Sequence, residues 1–146
     1  MESEVSVSFT LTGVDLDPEE VTRLAGLRPT KTWRLGDVIR PPAILRYRHS
    51  GWRLKSALPP SASLREHLNS LLGQLEPSWE VARQLGRRYY AEIACVVYSR
   101  GGDRPEIRLD AGMLEKLTEL NAALDIDLYV LPLRHRAKDQ ARESGR

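Results

Sequence analysis

A chain of 146 residues and 16.5 kDa has room for one hydrophobic core but not for two enzyme domains. Its 41% hydrophobic and 29% charged residues exclude a disordered or fibrous composition, and 22 Lys and Arg against 20 Asp and Glu exclude a uniformly basic nucleic-acid coat or an acidic nucleic-acid mimic. The lone Cys95 excludes an intramolecular disulfide, no run approaches the roughly 18 apolar residues of a membrane span, and Met1 to Glu4 lacks the basic start of a secretory signal, so a soluble chain in a reducing cytoplasm is expected.

Val5, Val7, Phe9 and Leu11 alternate with Ser6, Ser8, Thr10 and Thr12, the period-two pattern of a strand with one buried and one polar face. Asp17 followed by Pro18, Glu19 and Glu20 predicts a helix start, because the Asp can cap, proline suits the first helical position and acids complement the positive helix end. Val21, Leu24 and Ala25 form its apolar stripe, which Gly26 or Arg28-Pro29 ends. Thr30 to Leu58 shows no helical period and is broken by Gly36, Pro41, Pro42 and Gly51, which predicts two or three short strands with loops.

After the Pro59-Pro60 stop, Ser63 and Glu66 form a capping box ahead of Leu64, Leu68, Leu71, Leu72 and Leu75 at helical spacing. A second helical piece is expected from about Ser78 to Gly86, and Tyr89 to Tyr98 predicts an interior strand with Ile93, Cys95 and Val97 on one face. A hairpin turn at Gly101-Gly102 then leads to a short strand through Ile107 and Leu109. Asp110 caps a helix carrying Leu114, Leu117, Leu120 and Leu124, and a last strand runs through Ile126, Leu128 and Val130. The domain spans residues 5–131, and the basic tail at 132–146, with no apolar face, is read as frayed. This order of elements predicts an α+β fold, a mainly antiparallel sheet with helices packed on one side, as in a ferredoxin-like or related two-layer sandwich. Val5 to Pro29 also loosely echoes Ile107 to Asp127, each reading as strand, acidic cap and leucine-bearing helix.

The small net charge of +2 conceals a strong asymmetry. Residues 1–22 sum to −6, residues 23–55 to +8, residues 56–133 to −3 and the tail to +3. Within the basic segment Trp33, Tyr47 and Trp52 alternate with Arg and Lys, a composition shared by single-stranded nucleic-acid platforms and by protein interfaces. The competing reading makes the Trp residues core and the Arg residues a solvated face; it is favoured because aromatic residues reach the core more often, and no RNA-binding motif is present. A further alternative is that the basic segment faces the chain's own acidic start.

Asp125 and Asp127, two apart on a predicted strand, share a face with Tyr129; with no third ligand adjacent they are read as a polar strand face rather than a metal or acid–base pair. Of the three histidines only His49, in the basic loop, can join a site, and Cys95 on an apolar strand is read as a core residue. No catalytic motif, cofactor or metal site is expected.

Ser8-Phe9-Thr10-Leu11-Thr12-Gly13, Asp15-Leu16-Asp17-Pro18-Glu19-Glu20-Val21-Thr22, Gly26-Leu27-Arg28-Pro29-Thr30-Lys31-Thr32-Trp33 and Gly36-Asp37, with Ser50-Gly51-Trp52, the Leu68 to Leu72 helix and Asp125-Ile126-Asp127-Leu128-Tyr129, resemble an uncharacterised bacterial family catalogued as domain of unknown function 4279. The resemblance implies a small bacterial α+β domain and supplies no activity, cofactor or catalytic residue. The expected function is therefore a non-enzymatic binding protein, for example an immunity-type inhibitor, that meets an unknown macromolecule through the 23–55 surface. A protein partner is favoured over nucleic acid, with Arg34, Trp52, Arg53, Trp33 and His49 as candidate contacts and no membrane association. Nucleic-acid binding by the same surface is the alternative, and an enzyme or metal site built on Asp125, Asp127 and His49 ranks last.

Overall fold

The computed structural model describes residues 3–40, Pro42 and 44–132, so the predicted frayed tail from 133 onward lies outside the described residues. Strand β1 (Glu4–Gly13) is the middle of a five-stranded sheet ordered β2-β3-β1-β4-β5. β2 (Lys31–Trp33) and β3 (Ser50–Lys55) lie on one side of it, β4 (Tyr90–Ser99) and β5 (Ala122–Val130) on the other. Every pairing is antiparallel except β4 with β5, which are joined through a helix as parallel neighbours require. This is the mainly antiparallel α+β sheet that the element order predicts.

Four helices pack on one face of it: α1 (Pro18–Ala25), α2 (Leu64–Leu75), α3 (Trp79–Arg88) and α4 (Ala111–Glu119). Their apolar stripes join Val5, Val7, Phe9 and Leu11 of β1, Trp52 and Leu54 of β3, and Ile93, Cys95 and Val97 of β4 in one core. The caps follow the sequence signals. Asp17 accepts from the Glu19 amide at 3.1 Å, Ser63 and Glu66 make the reciprocal capping box, and Asp110 accepts from the Met113 amide at 2.9 Å. Gly26, at φ 66, closes α1 in the left-handed conformation that favours glycine.

Two expectations fail, both late in the chain. Residues 104–110 run without strand pairing, so Ile107 and Leu109 form no strand, Gly101-Gly102 is a turn but not a hairpin, and the echo of Val5 to Pro29 loses its first element. Leu124 belongs to β5 rather than to α4. The helix stops at Asn121, whose φ of 55 turns the chain and whose side chain donates to the Gly86 carbonyl at 3.1 Å. The nine residues of α4 rise about 13 Å, while the nine of β5 extend about 30 Å, so one helix cannot cover the strand. Leu128 and Val130, on the helix side, are accordingly exposed.

Candidate functional site

Pleating sends alternate residues to opposite faces, so the side chains that avoid the helices meet on the bare face of the sheet. Register places Lys31 beside Arg53, Arg53 beside Thr10, and Thr10 beside Glu92; one step along, Trp33 stands beside Gly51, Gly51 beside Thr12, and Thr12 beside Tyr90. Residues 34–49 form a flap between β2 and β3, held by the Gly36 amide to the Tyr47 carbonyl, the Tyr47 amide to the Asp37 carbonyl and the Ile39 amide to the Leu45 carbonyl, each 2.9 Å. The flap delivers Tyr47 onto Trp33, ring centroids 5.0 Å apart. Lys31 donates to the Tyr47 hydroxyl at 3.2 Å, and the Arg53 guanidinium lies 5.0 Å from the Trp33 ring centroid.

A cleft of about 600 Å³ opens here, lined among others by Thr10, Trp33, Tyr47, Arg48, His49, Arg53, Tyr90 and Glu92. Three of the five residues expected from the sequence, Trp33, His49 and Arg53, therefore come together. Trp33 is only 6% exposed but stands outside the main core. It packs against Gly51, where a Cβ would fall 2.1 Å from the ring, and Tyr47 stacks on it, so it offers no platform to an incoming base. Trp33 Nε1 and His49 Nδ1 are buried without hydrogen-bond partners among the described residues.

The other two candidates lie elsewhere. Trp52 is 1% exposed on the helix side, where its Nε1 donates to Thr22 Oγ1 at 3.0 Å; it is a core residue and not a surface contact. Arg34 reaches back to α1, pairing with Asp17 at 3.1 Å and with Glu19. Partial desolvation works against the shift, but the Arg34 hydrogen bond and the Glu19 amide hold the Asp17 carboxyl below its ordinary value. The acidic start thus engages the basic segment at Arg34, and at Arg23 through Glu20. Lys31, Arg48, Arg53 and Lys55 form no ion pair among the described residues.

The flap tip adds a feature that charge counting missed. Ile39, Ile44 and Leu45 are exposed, Ile44 by 91%, on the flap that also carries Arg48. The readable signal was the Ile44-Leu45 pair inside an otherwise polar, proline-broken loop.

Asp125 and Asp127 lie on the same bare face near Glu92, whose carboxyl is pushed up by burial and then by those two aspartates, against the pull of Arg53. Among the described residues no group of three His, Cys, Asp or Glu is placed to hold a metal ion. Burial pushes the Cys95 thiol up to about 12, which leaves it protonated and inert. A more enclosed cavity of about 480 Å³ lies beside Ser63 and Pro105, where two of the three lining carboxylates have partners: Glu66 accepts from the Ser63 amide and Asp103 from the Ser3 hydroxyl, while Glu106 is the third. The cleft on the bare face gathers more of the expected residues, with cations that form no ion pair among the described residues, and is the better candidate. No helix among the described residues is long and apolar enough to cross a membrane.

Fold and site together define an α+β domain with one helix-covered and one bare sheet face, the bare face carrying a basic, aromatic cleft bordered by a flap with exposed apolar residues. The chain belongs to the family described as Domain of unknown function (DUF4279), which matches residues 3–131. No curated protein and no solved structure matches it significantly.

Proposed function

We propose that the chain is a non-enzymatic, cytoplasmic bacterial binding protein that engages an acidic surface of a partner protein through the cleft and flap; an immunity-type inhibitor is the concrete form. The observation that supports this reading is a cleft lined by Arg53 and by the flap residues Tyr47, Arg48 and His49, its arginines without ion pairs among the described residues, with Ile39, Ile44 and Leu45 exposed further along the same flap. Apolar side chains flanked by arginine suit a protein interface, in which the apolar patch is desolvated and the cations select partner carboxylates. A nucleic-acid strand would use the cations and the exposed Tyr90 ring but leave the apolar tip in water, and Trp33 is covered by Tyr47.

The test is affinity capture from extracts of the encoding cells with the tagged chain and with an Arg48→Glu/Arg53→Glu variant, with and without nuclease. The expected result is a stoichiometric protein that survives nuclease and is lost from the variant. Capture that disappears with nuclease transfers the reading to nucleic acid, and equal capture by the variant overturns the cleft as the site.

A further inference from the structure

On the strands flanking β1 the bare face carries three charges of each sign, sorted to its two sides. Lys31, Arg53 and Lys55 stand on β2 and β3, while Glu92, Asp125 and Asp127 stand on β4 and β5. Between them the central strand β1 presents only Ser6, Ser8, Thr10 and Thr12 over the length of these charges. Register also aligns the charges in rows across the sheet. One row reads Lys31, Arg53, Thr10, Glu92, Ala123, and the next reads Lys55, Ser8, Ala94, Asp125.

A surface of this kind complements itself under one symmetry operation. A two-fold axis laid over β1 and parallel to it exchanges left and right while keeping each row at its level, so β3 of one copy covers β4 of the other and β2 covers β5. Arg53 then faces Glu92 of the second copy, and Lys55 comes down in the row that holds Asp125. At the axis Ser8 and Thr10 are themselves buried between the flanking side chains, so the charges on either side carry the contact. An in-plane axis across the strands would instead set cations on cations. The flap borders this contact: Tyr47 stacks on Trp33 and its hydroxyl accepts from Lys31, in the row that holds Arg53.

We propose that the bare face is a self-complementary dimer interface in which two copies stack their sheets face to face, about 10 Å apart, with the basic half of each on the acidic half of the other. Because solvent-accessible charge pairs guide this contact, the dimer is weak and salt-sensitive. A second copy and an acidic partner compete for the same basic half; the dimer itself does not depend on that partner's existence.

Sedimentation velocity on the purified protein, from micromolar to millimolar concentration at low and at about 0.5 M salt, tests the proposal. The wild type is expected to dimerise at low salt and to dissociate as salt is raised. An Arg53→Glu/Lys55→Glu variant and a Glu92→Lys/Asp125→Lys variant, which reverse opposite sides of the two aligned rows, should each dimerise at least tenfold more weakly. An equimolar mixture of the two should regain a heterodimer, because both halves again meet opposite charge. Lys55→Glu and Asp125→Lys alone, at exposed positions without ion pairs, give the same paired test if the Arg53 change disturbs folding. A wild type that stays monomeric at every concentration, variants that dimerise as the wild type does, or a mixture that forms no heterodimer would overturn it.

Discussion

On the helix side of β1, Val5, Val7, Phe9 and Leu11 are buried among side chains from four helices, whereas on the other side Ser6, Ser8, Thr10 and Thr12 form the floor of a surface that no helix among the described residues covers. The same ten residues thus serve two tasks. One face supplies the folding free energy through apolar burial, and the other sets the charges of the flanking strands in fixed rows. If the division holds, substitutions should separate cleanly into those that change stability and those that change association.

The largest stability effect belongs to the covered face. Phe9→Ala removes a fully buried ring and should cost about 3–5 kcal/mol in denaturant unfolding; a loss under 1 kcal/mol would mean that the face is not packed as described. Next comes Gly51→Ala, on the bare face, whose methyl would meet the Trp33 ring at 2.1 Å. The ring must move off Gly51, with an expected cost of about 1–3 kcal/mol and a change in tryptophan fluorescence as the Tyr47 stack loosens.

A smaller, pH-dependent effect returns to the covered face. His67 is buried, its Nδ1 2.9 Å from Ser56 Oγ, and burial, opposed by the Pro59 carbonyl, assisted by Lys55 and countered by Glu66, pushes the imidazole below its ordinary 6.5. The folded state therefore binds this proton less readily than the unfolded chain. The resulting stability is present in full above about 6.5 and is lost as pH falls below it toward the lowered value. A His67→Gln variant should lack that part of the acid slope. Smallest of all is Arg48→Glu, at an exposed position, which should leave stability within about 0.5 kcal/mol while removing captured partner; a large loss of stability would blur the distinction between the two faces.

Local signals made most of the fold legible. The alternation of β1, the Asp17 and Asp110 caps and the Ser63 capping box each lie within a few residues, and each directs the chain as expected. Ile107 and Leu109 misled because alternation marks an extended segment whether or not a neighbour exists to pair with it. Leu124 misled because leucine spacing ran on across the left-handed turn at Asn121. The candidate site was legible only in part, for a non-local reason. Arg34 and Arg53 look alike in the sequence, yet one turns toward Asp17 and Glu19 and the other toward Thr10 and Trp33. Trp33 and Trp52 likewise separate because their paired strand positions point to opposite sides of the sheet. Nor does any local pattern place Glu92 in one row with Arg53, since that requires the register of three strands.

Acylation of lysines, read by mass spectrometry, tests most directly whether the bare face is the recognition surface. Lys31 and Lys55 stand on that face, while Lys116 lies on α4 beside Glu76 and Trp79 and serves as the internal reference. Labelling the dilute protein, the concentrated protein and the captured complex should show Lys31 and Lys55 protected in both associated states while Lys116 reacts unchanged. Protection of Lys116 with continued reactivity of Lys31 and Lys55 would place recognition on the helix side and contradict the account.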